Sequence, residues 1–111
     1  MNHSRWKLAR ERKLAEGHVE SPEATAERAE IRLAMAFAKA VYDRRTELGL
    51  TQAEVAERAG LAQAKISRIE GADTVPTLPL LRRLARALDA SLSIALDDEH
   101  EEVAFIAHPA A

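Results

Sequence analysis

Hydrophobic and polar positions along this chain keep helical spacing for most of its length and then change period. Leu78, Leu81, Leu84, Ala85 and Leu88 recur at three and four residues, with Arg82, Arg83 and Arg86 on the outward side. That spacing predicts a helix laid against a core. After Asp89–Ala90 the period falls to two: Leu92, Ile94 and Leu96 alternate with Ser91, Ser93 and Ala95, which predicts a strand. Val103–Ala107 reads as a second strand across the acidic loop Asp97–Glu102. A lone two-stranded hairpin is marginal in water, so this element is expected to pair with a second subunit or another protein. Upstream, Ser21, Pro22 and Glu23 supply a cap, a first-position proline and a first-turn acid, and the helix they start runs to about Leu48 before Gly49. Its apolar residues form two rows, Ile31–Ala34–Ala38–Val41 and Leu33–Phe37–Val41. A helix apolar on more than one side is expected to be covered by a partner, or by Arg5–Leu14 folding back. Residues 1–20 are charged, carry Trp6, Leu8 and Leu14, and predict a short helix that ends at the break Gly17–Pro22.

The segment Thr51 to Gly71, TQAEVAERAGLAQAKISRIEG, carries the functional signal. Thr51 with Glu54 three residues on is a capping box. With Gln52 as first position, Ala56 falls fifth, where two crossing helices leave room for nothing larger. Gly60 falls ninth, at a turn that needs φ > 0. Val55, Ala59, Leu61, Ile66 and Ile69 take the inward positions, leaving Gln63, Ala64, Ser67 and Arg68 outward with no carboxylate among them. This is the spacing of a helix-turn-helix; an ordinary helical hairpin with a glycine turn is the bland alternative.

On these residues the chain resembles the phage-repressor and Cro-like (XRE) helix-turn-helix proteins over about Val41 to Leu88, with LLRRLARALDA as a second matching stretch. The resemblance implies a mainly α fold: a five-helix Cro/repressor-like domain, here with an extended N-terminal helix and a short C-terminal strand pair. It implies that the helix 62–70 reads double-stranded DNA, with Gln63, Ala64 and Lys65 nearest the bases and Ser67 and Arg68 on the flanking backbone. Gln suits adenine, and Lys suits guanine acceptors or a phosphate. Gln52 would bind a phosphate and brace Gln63, while Arg45 and Glu70 would pair structurally. Ala62 departs from the family, which often has Ser at that cap. The whole layout, with a tryptophan-bearing N-terminal segment and a long leading helix, further resembles HigA-type antitoxins. That implies a RelE/HigB-type mRNA-cleaving toxin as partner, with contacts concentrated on residues 1–38 through Trp6, Ile31, Leu33 and Phe37, and repression of the chain's own operon.

Composition narrows the alternatives. The 111 residues fit one domain with extensions. No cysteine is present, which excludes disulfide scaffolds and thiolate zinc sites and fits a reducing cytoplasm. No apolar run reaches membrane length, and the basic start MNHSRWKLARERK lacks the apolar stretch of a signal peptide. Five of the 18 acids fall in residues 97–111, which hold no Lys or Arg, so the net charge of −2 conceals a mildly basic remainder. Sequence-specific binding fits that balance, whereas strong non-specific binding does not, and a homodimer is expected. No G-x-S-x-G, phosphate-cradling glycine loop or H-E-x-x-H occurs, so no enzymatic activity, metal or cofactor is expected. His100 and His108 read as solvated rather than metal-binding.

The expected organisation is a charged segment at 1–21, a helix extension at 22–40, the helix-turn-helix domain at 41–90, and C-terminal strands at 91–111 that dimerise through Leu92, Ile94 and Leu96. Two recognition helices about 34 Å apart would read a pseudo-palindromic operator. A stand-alone repressor without a toxin shares every DNA-binding residue with this reading. A protein-interaction adaptor is the alternative of another class, and the polar face of Gln63, Lys65, Ser67 and Arg68 argues against it.

Overall fold

The computed structural model describes residues 21–109; Trp6 and the short helix expected around it lie outside the described residues. The first element, α1 (Pro22–Glu47), begins where the sequence signals placed it: Ser21 Oγ accepts from the Ala24 N–H at 3.1 Å, and Pro22 stands where a missing N–H is no loss. Its 26 residues extend about 39 Å. It stops at Leu48 because Gly49, at φ 69, turns the chain out of the helix. Three short helices follow, α2 (Gln52–Ala59), α3 (Gln63–Glu70) and α4 (Leu78–Ala87), then the antiparallel strands β1 (Ala90–Leu96) and β2 (Glu101–Ala107).

The described residues hold four helices, not the five expected. The reason is local. Asp89, at φ 49, leaves the helical region directly after α4, and the alternating pattern behind it extends as a strand. Strand β2 also starts earlier than expected, at Glu101 rather than Val103, because the turn is tight. Asp97 Oδ1 accepts from the N–H groups of Glu99 and His100, which lowers its pKa and lets Leu96 pair with Glu101.

One core joins the helices. Phe37 and Val41 of α1 share this core with Val55, Ala56 and Ala59 of α2, Ile66 and Ile69 of α3, Leu81, Leu84 and Ala87 of α4, and Leu88 just after it. The hairpin leans on that core. In the register Leu92 opposes Phe105 and Ile94 opposes Val103, and Leu92, Val103 and Phe105 pack against the buried cluster. β2 rests on α1 and β1 on α4, so the hairpin gains from its own domain the support expected from a partner. Two arginines secure the joint. Arg44, 7 % exposed, donates from Nε to the Leu88 carbonyl at 2.9 Å and from Nη2 to the Asp89 carbonyl at 3.1 Å. Arg32 Nε donates to Glu101 Oε1 at 3.0 Å, tying the N-terminal half of α1 to β2.

Candidate nucleic-acid interface

The α2–turn–α3 unit is built from its caps inward. The Thr51 Oγ1 accepts from the Glu54 N–H at 3.1 Å, and Glu54 Oε1 accepts from the Thr51 N–H at 3.1 Å. The Thr51 backbone N–H, and after it the Thr51 hydroxyl, favour the ionised form and hold the Glu54 carboxyl below its ordinary pKa. Helix α2 ends at Gly60, φ 67, and the Leu61 N–H reaches back to the Ala56 carbonyl at 2.8 Å. The small Ala56, fully enclosed, lets the chain double back there.

Arg83, expected on a solvated face of α4, has a definite task. Its Nε donates to the Ala59 carbonyl at 3.0 Å and its Nη2 to the Gly60 carbonyl at 2.8 Å. These are carbonyls that the end of α2 leaves without intrahelical partners. A Cβ on residue 60 would stand 2.9 Å from Arg83 Nη2, so any side chain there displaces the guanidinium from the Gly60 carbonyl in addition to straining the backbone angle. Arg58 Nη1 reaches the Ala87 carbonyl at 3.4 Å, a second link between α2 and α4. Neither arginine, nor Arg44, carried a sequence signal separating it from other exposed basic residues; the free carbonyls at helix ends were the only available clue.

Ile66 and Ile69 fix α3 on the core. Gln63, Ala64, Ser67 and Arg68 are exposed, at the i, i+1, i+4, i+5 spacing that puts them on one face, and Lys65 is half-buried beside them. Ala62 takes the extended conformation of a cap, φ −72 and ψ 144, but supplies no side-chain hydrogen bond; its carbonyl accepts from the Lys65 N–H at 3.0 Å, and the N–H groups of Gln63 and Ala64 are left without a side-chain cap.

The carboxylate that closes α3 is turned inward. Arg45 Nε and Nη2 grip Glu70 Oε2 and Oε1 at 2.7 and 2.9 Å, and Arg45 Nη1 also donates to the Leu50 carbonyl at 2.9 Å. The bond to Glu70 is the main reason the Arg45 pKa is raised. Tyr42 adds its ring 5.3 Å from the guanidinium carbon. Gln52 departs from its expected bracing of Gln63: its Nε2 donates to Glu70 Oε1 at 3.3 Å. The Arg45–Glu70 pair captures that amide because Glu70 still offers a lone pair on the side facing α2. The interface therefore presents amide, hydroxyl and guanidinium groups with the nearest acid already neutralised.

Other expected site residues divide by burial. Ile31 is 59 % exposed, but Phe37 is 2 % exposed and belongs to the core, so it is unavailable to a partner, and Leu33 is half-buried against the same cluster. The exposed apolar row of α1 is instead Ile31, Met35 and Tyr42. Leu92 is spent on the core as well, whereas Ile94 and Leu96, 36 % and 59 % exposed, remain open. His100 sits 3.3 Å from Asp97 Oδ1, and His108 3.2 Å from Asp89 Oδ1. Among the described residues no helix is long and apolar enough to cross a membrane.

Comparison with known proteins points the same way. A helix-turn-helix family model (HTH_3) matches residues 41–94. The chain is 38 % identical over 58 residues to the HTH-type transcriptional regulator SinR of Bacillus subtilis strain 168, covering 51 % of this chain and 52 % of SinR. It is 46 % identical over 48 residues to an uncharacterized HTH-type transcriptional regulator of Methanothermobacter thermautotrophicus, covering 43 % of this chain and 70 % of that protein. It is likewise 46 % identical over 48 residues to the antitoxin HigA1 of Mycobacterium tuberculosis H37Rv, of which it spans 32 %. Among solved structures, the wild-type restriction-modification controller protein C.Esp1396I superposes with a TM-score of 0.52 at 27 % identity, over 53 % of this chain and 77 % of that one. The chain thus spans about half the length of SinR and about a third of HigA1.

Proposed function

Because the chain belongs to the XRE-type helix-turn-helix family, we propose that it is a sequence-specific DNA-binding repressor that acts as a homodimer and also serves as an antitoxin. The observation that carries the DNA-binding part is the outward face of α3. Gln63, Ala64, Ser67 and Arg68 stand exposed there with Lys65, and Glu70 is withheld by Arg45. In the major groove, Gln63, Ala64 and Lys65 lie nearest the base edges, and Ser67 and Arg68 meet the flanking phosphates. The N–H groups of Gln63 and Ala64, without a side-chain cap at the start of α3, favour a nearby phosphate as well. Two such helices, about 34 Å apart in a dimer, read the halves of a pseudo-palindrome.

Binding-site selection from random duplexes with the full chain tests this, the expected product being a two-fold symmetric site. On that site Gln63→Ala weakens binding by about 1–3 kcal/mol and relaxes preference at one base pair per half. A chain that enriches no sequence is not a repressor of this kind.

The antitoxin part rests on the likeness to HigA1 and on the exposed Ile31 row of α1. The partner is an mRNA-cleaving toxin of the RelE/HigB type, held by Trp6 and Ile31 with Met35 beside them. Co-expression with the product of the neighbouring gene, followed by co-purification, tests it: Ile31→Ser with Met35→Ser should release the partner without loss of operator binding. The likeness to regulators such as SinR favours a second reading, a repressor without a toxin. Operator binding with no captured partner would establish that one.

A further inference from the structure

Strand β1 ends the sheet on one side: among the described residues the sheet has two strands, and β2 lies beside α1, to which the Arg32–Glu101 pair ties it. The hydrogen bonds at the two ends of the hairpin show which backbone groups of β1 face outward. The Asp97 N–H donates to the His100 carbonyl at 3.0 Å, and the His108 N–H to the Asp89 carbonyl at 3.5 Å. Counting inward by twos from those pairs, Ser91, Ser93 and Ala95 exchange bonds with β2. The N–H and carbonyl groups of Leu92, Ile94 and Leu96 therefore point away from it, toward the edge of the sheet. Such a row is a template for another strand, and proteins that stay apart guard it with charge, proline or a bulge. β1 reads ASLSIAL, without charge or proline, whereas β2 carries Glu101 and Glu102.

The sequence of β1 also specifies which strand fits. Laid antiparallel on itself about Ile94, it sets Ile94 opposite Ile94, Leu92 opposite Leu96, and Ser93 opposite Ala95. Apolar side chains meet on the face that Leu92 turns to the core, and small ones meet on the other. The outward backbone groups of 92, 94 and 96 fall opposite one another, as an antiparallel ladder requires. A surface that matches itself under a two-fold axis suits an isologous interface.

We propose that β1 pairs antiparallel with β1 of a second copy, centred on Ile94, so that one four-stranded sheet runs through the dimer. The proposal rests on the homodimer reading above and adds where the two-fold axis passes. Ile94 and Leu96, exposed in the single chain, are covered across that axis. β1 follows α4 directly, and Arg83 of α4 holds the end of α2. The register of the strand pair thereby fixes the separation of the two α3 helices on an operator.

The chain contains no cysteine, so introduced thiols report without background. Ser93 and Ala95 are exposed, and cysteine at either leaves the core untouched. In the proposed register, residue 93 of one copy and residue 95 of the other form a non-hydrogen-bonded pair with Cα atoms about 4.5 Å apart, within the ~4.4–6.8 Å span of a disulfide. The test oxidises Ser93→Cys alone, Ala95→Cys alone, and a mixture of the two refolded together to exchange subunits. The expected result is covalent dimer in the mixture, severalfold above either variant alone. An equal yield from Ser93→Cys alone overturns the proposal, because it sets the axis elsewhere. So does a mixture that stays uncross-linked while sedimentation shows the unaltered chain to be a dimer, a result that leaves the homodimer reading standing. An unaltered chain that sediments as a monomer overturns both.

Discussion

Glu70 is the residue on which the recognition helix depends most. Its carboxylate is nearly enclosed and satisfied by Arg45 and Gln52, from two other elements. Removing one member of an enclosed pair strands the other's charge, so Arg45→Ala should destabilise the fold by about 3 kcal/mol. Thermal melting of the free protein checks this, and an unchanged midpoint would show that the pair contributes nothing. The sequence made the pairing readable through the family resemblance; the recruitment of Gln52 was not readable, because it depends on which lone pair of Glu70 faces α2. Glycine positions offer a matched comparison. Gly49 and Gly60 share nearly the same positive φ, 69 and 67, but a Cβ at 49 meets nothing within 4 Å, whereas at 60 it meets Arg83. Gly49→Ala should cost about 1–2 kcal/mol, the left-handed backbone term alone. Gly60→Ala should exceed it measurably in chemical denaturation; equal losses would mean that Arg83 moves aside freely.

Among the elements, α3 is the helix with the weakest start. Thr51 and Thr77 cap α2 and α4 with side-chain hydrogen bonds, while Ala62 has the extended backbone of a cap and no oxygen to offer. Ala62→Ser should therefore stabilise the domain by about 0.5–2 kcal/mol, the usual worth of a cap. Urea denaturation reads it, and no gain would mean that the first turn of α3 is held by packing alone. The strands teach the converse. Their alternation was legible at 91–96, but Glu101 and Glu102 do not look like strand residues; they join β2 because Asp97 closes a tight turn and Glu101 meets Arg32. That salt bridge links positions 69 residues apart, beyond the reach of any local pattern.

At the scale of the whole molecule, the hairpin ties α1 to α4 and leaves Ile94 and Leu96 exposed near its acidic tip. With Leu92 engaged internally, the proposed dimer contact narrows to Ile94 and Leu96. Ile94→Asp with Leu96→Asp should yield a folded monomer that binds operator with lower affinity, by sedimentation and titration. A dimer that persists would move the contact to the helices. The charge distribution, with the basic residues all before position 97, keeps the acidic tail at the opposite end of the sequence from the basic segment.

The sequence by itself determined the helix-turn-helix. Its signals are local: a cap, a small residue, a glycine and isoleucines at fixed offsets all act within about twenty residues, where spacing dictates which side chains share a face. The same local chemistry set the start of α1 and the change to strands after Asp89. Only the tertiary structure decided which face of a helix apolar on several sides became core. Phe37 went inward while Met35 and Tyr42 stayed out, because α1 meets α3 and β2 over one sector of its surface. It decided as well that Arg44 and Arg83 serve carbonyls at the ends of distant helices. Such partners are set by where chain ends come to rest in space, which periodicity along the chain does not encode.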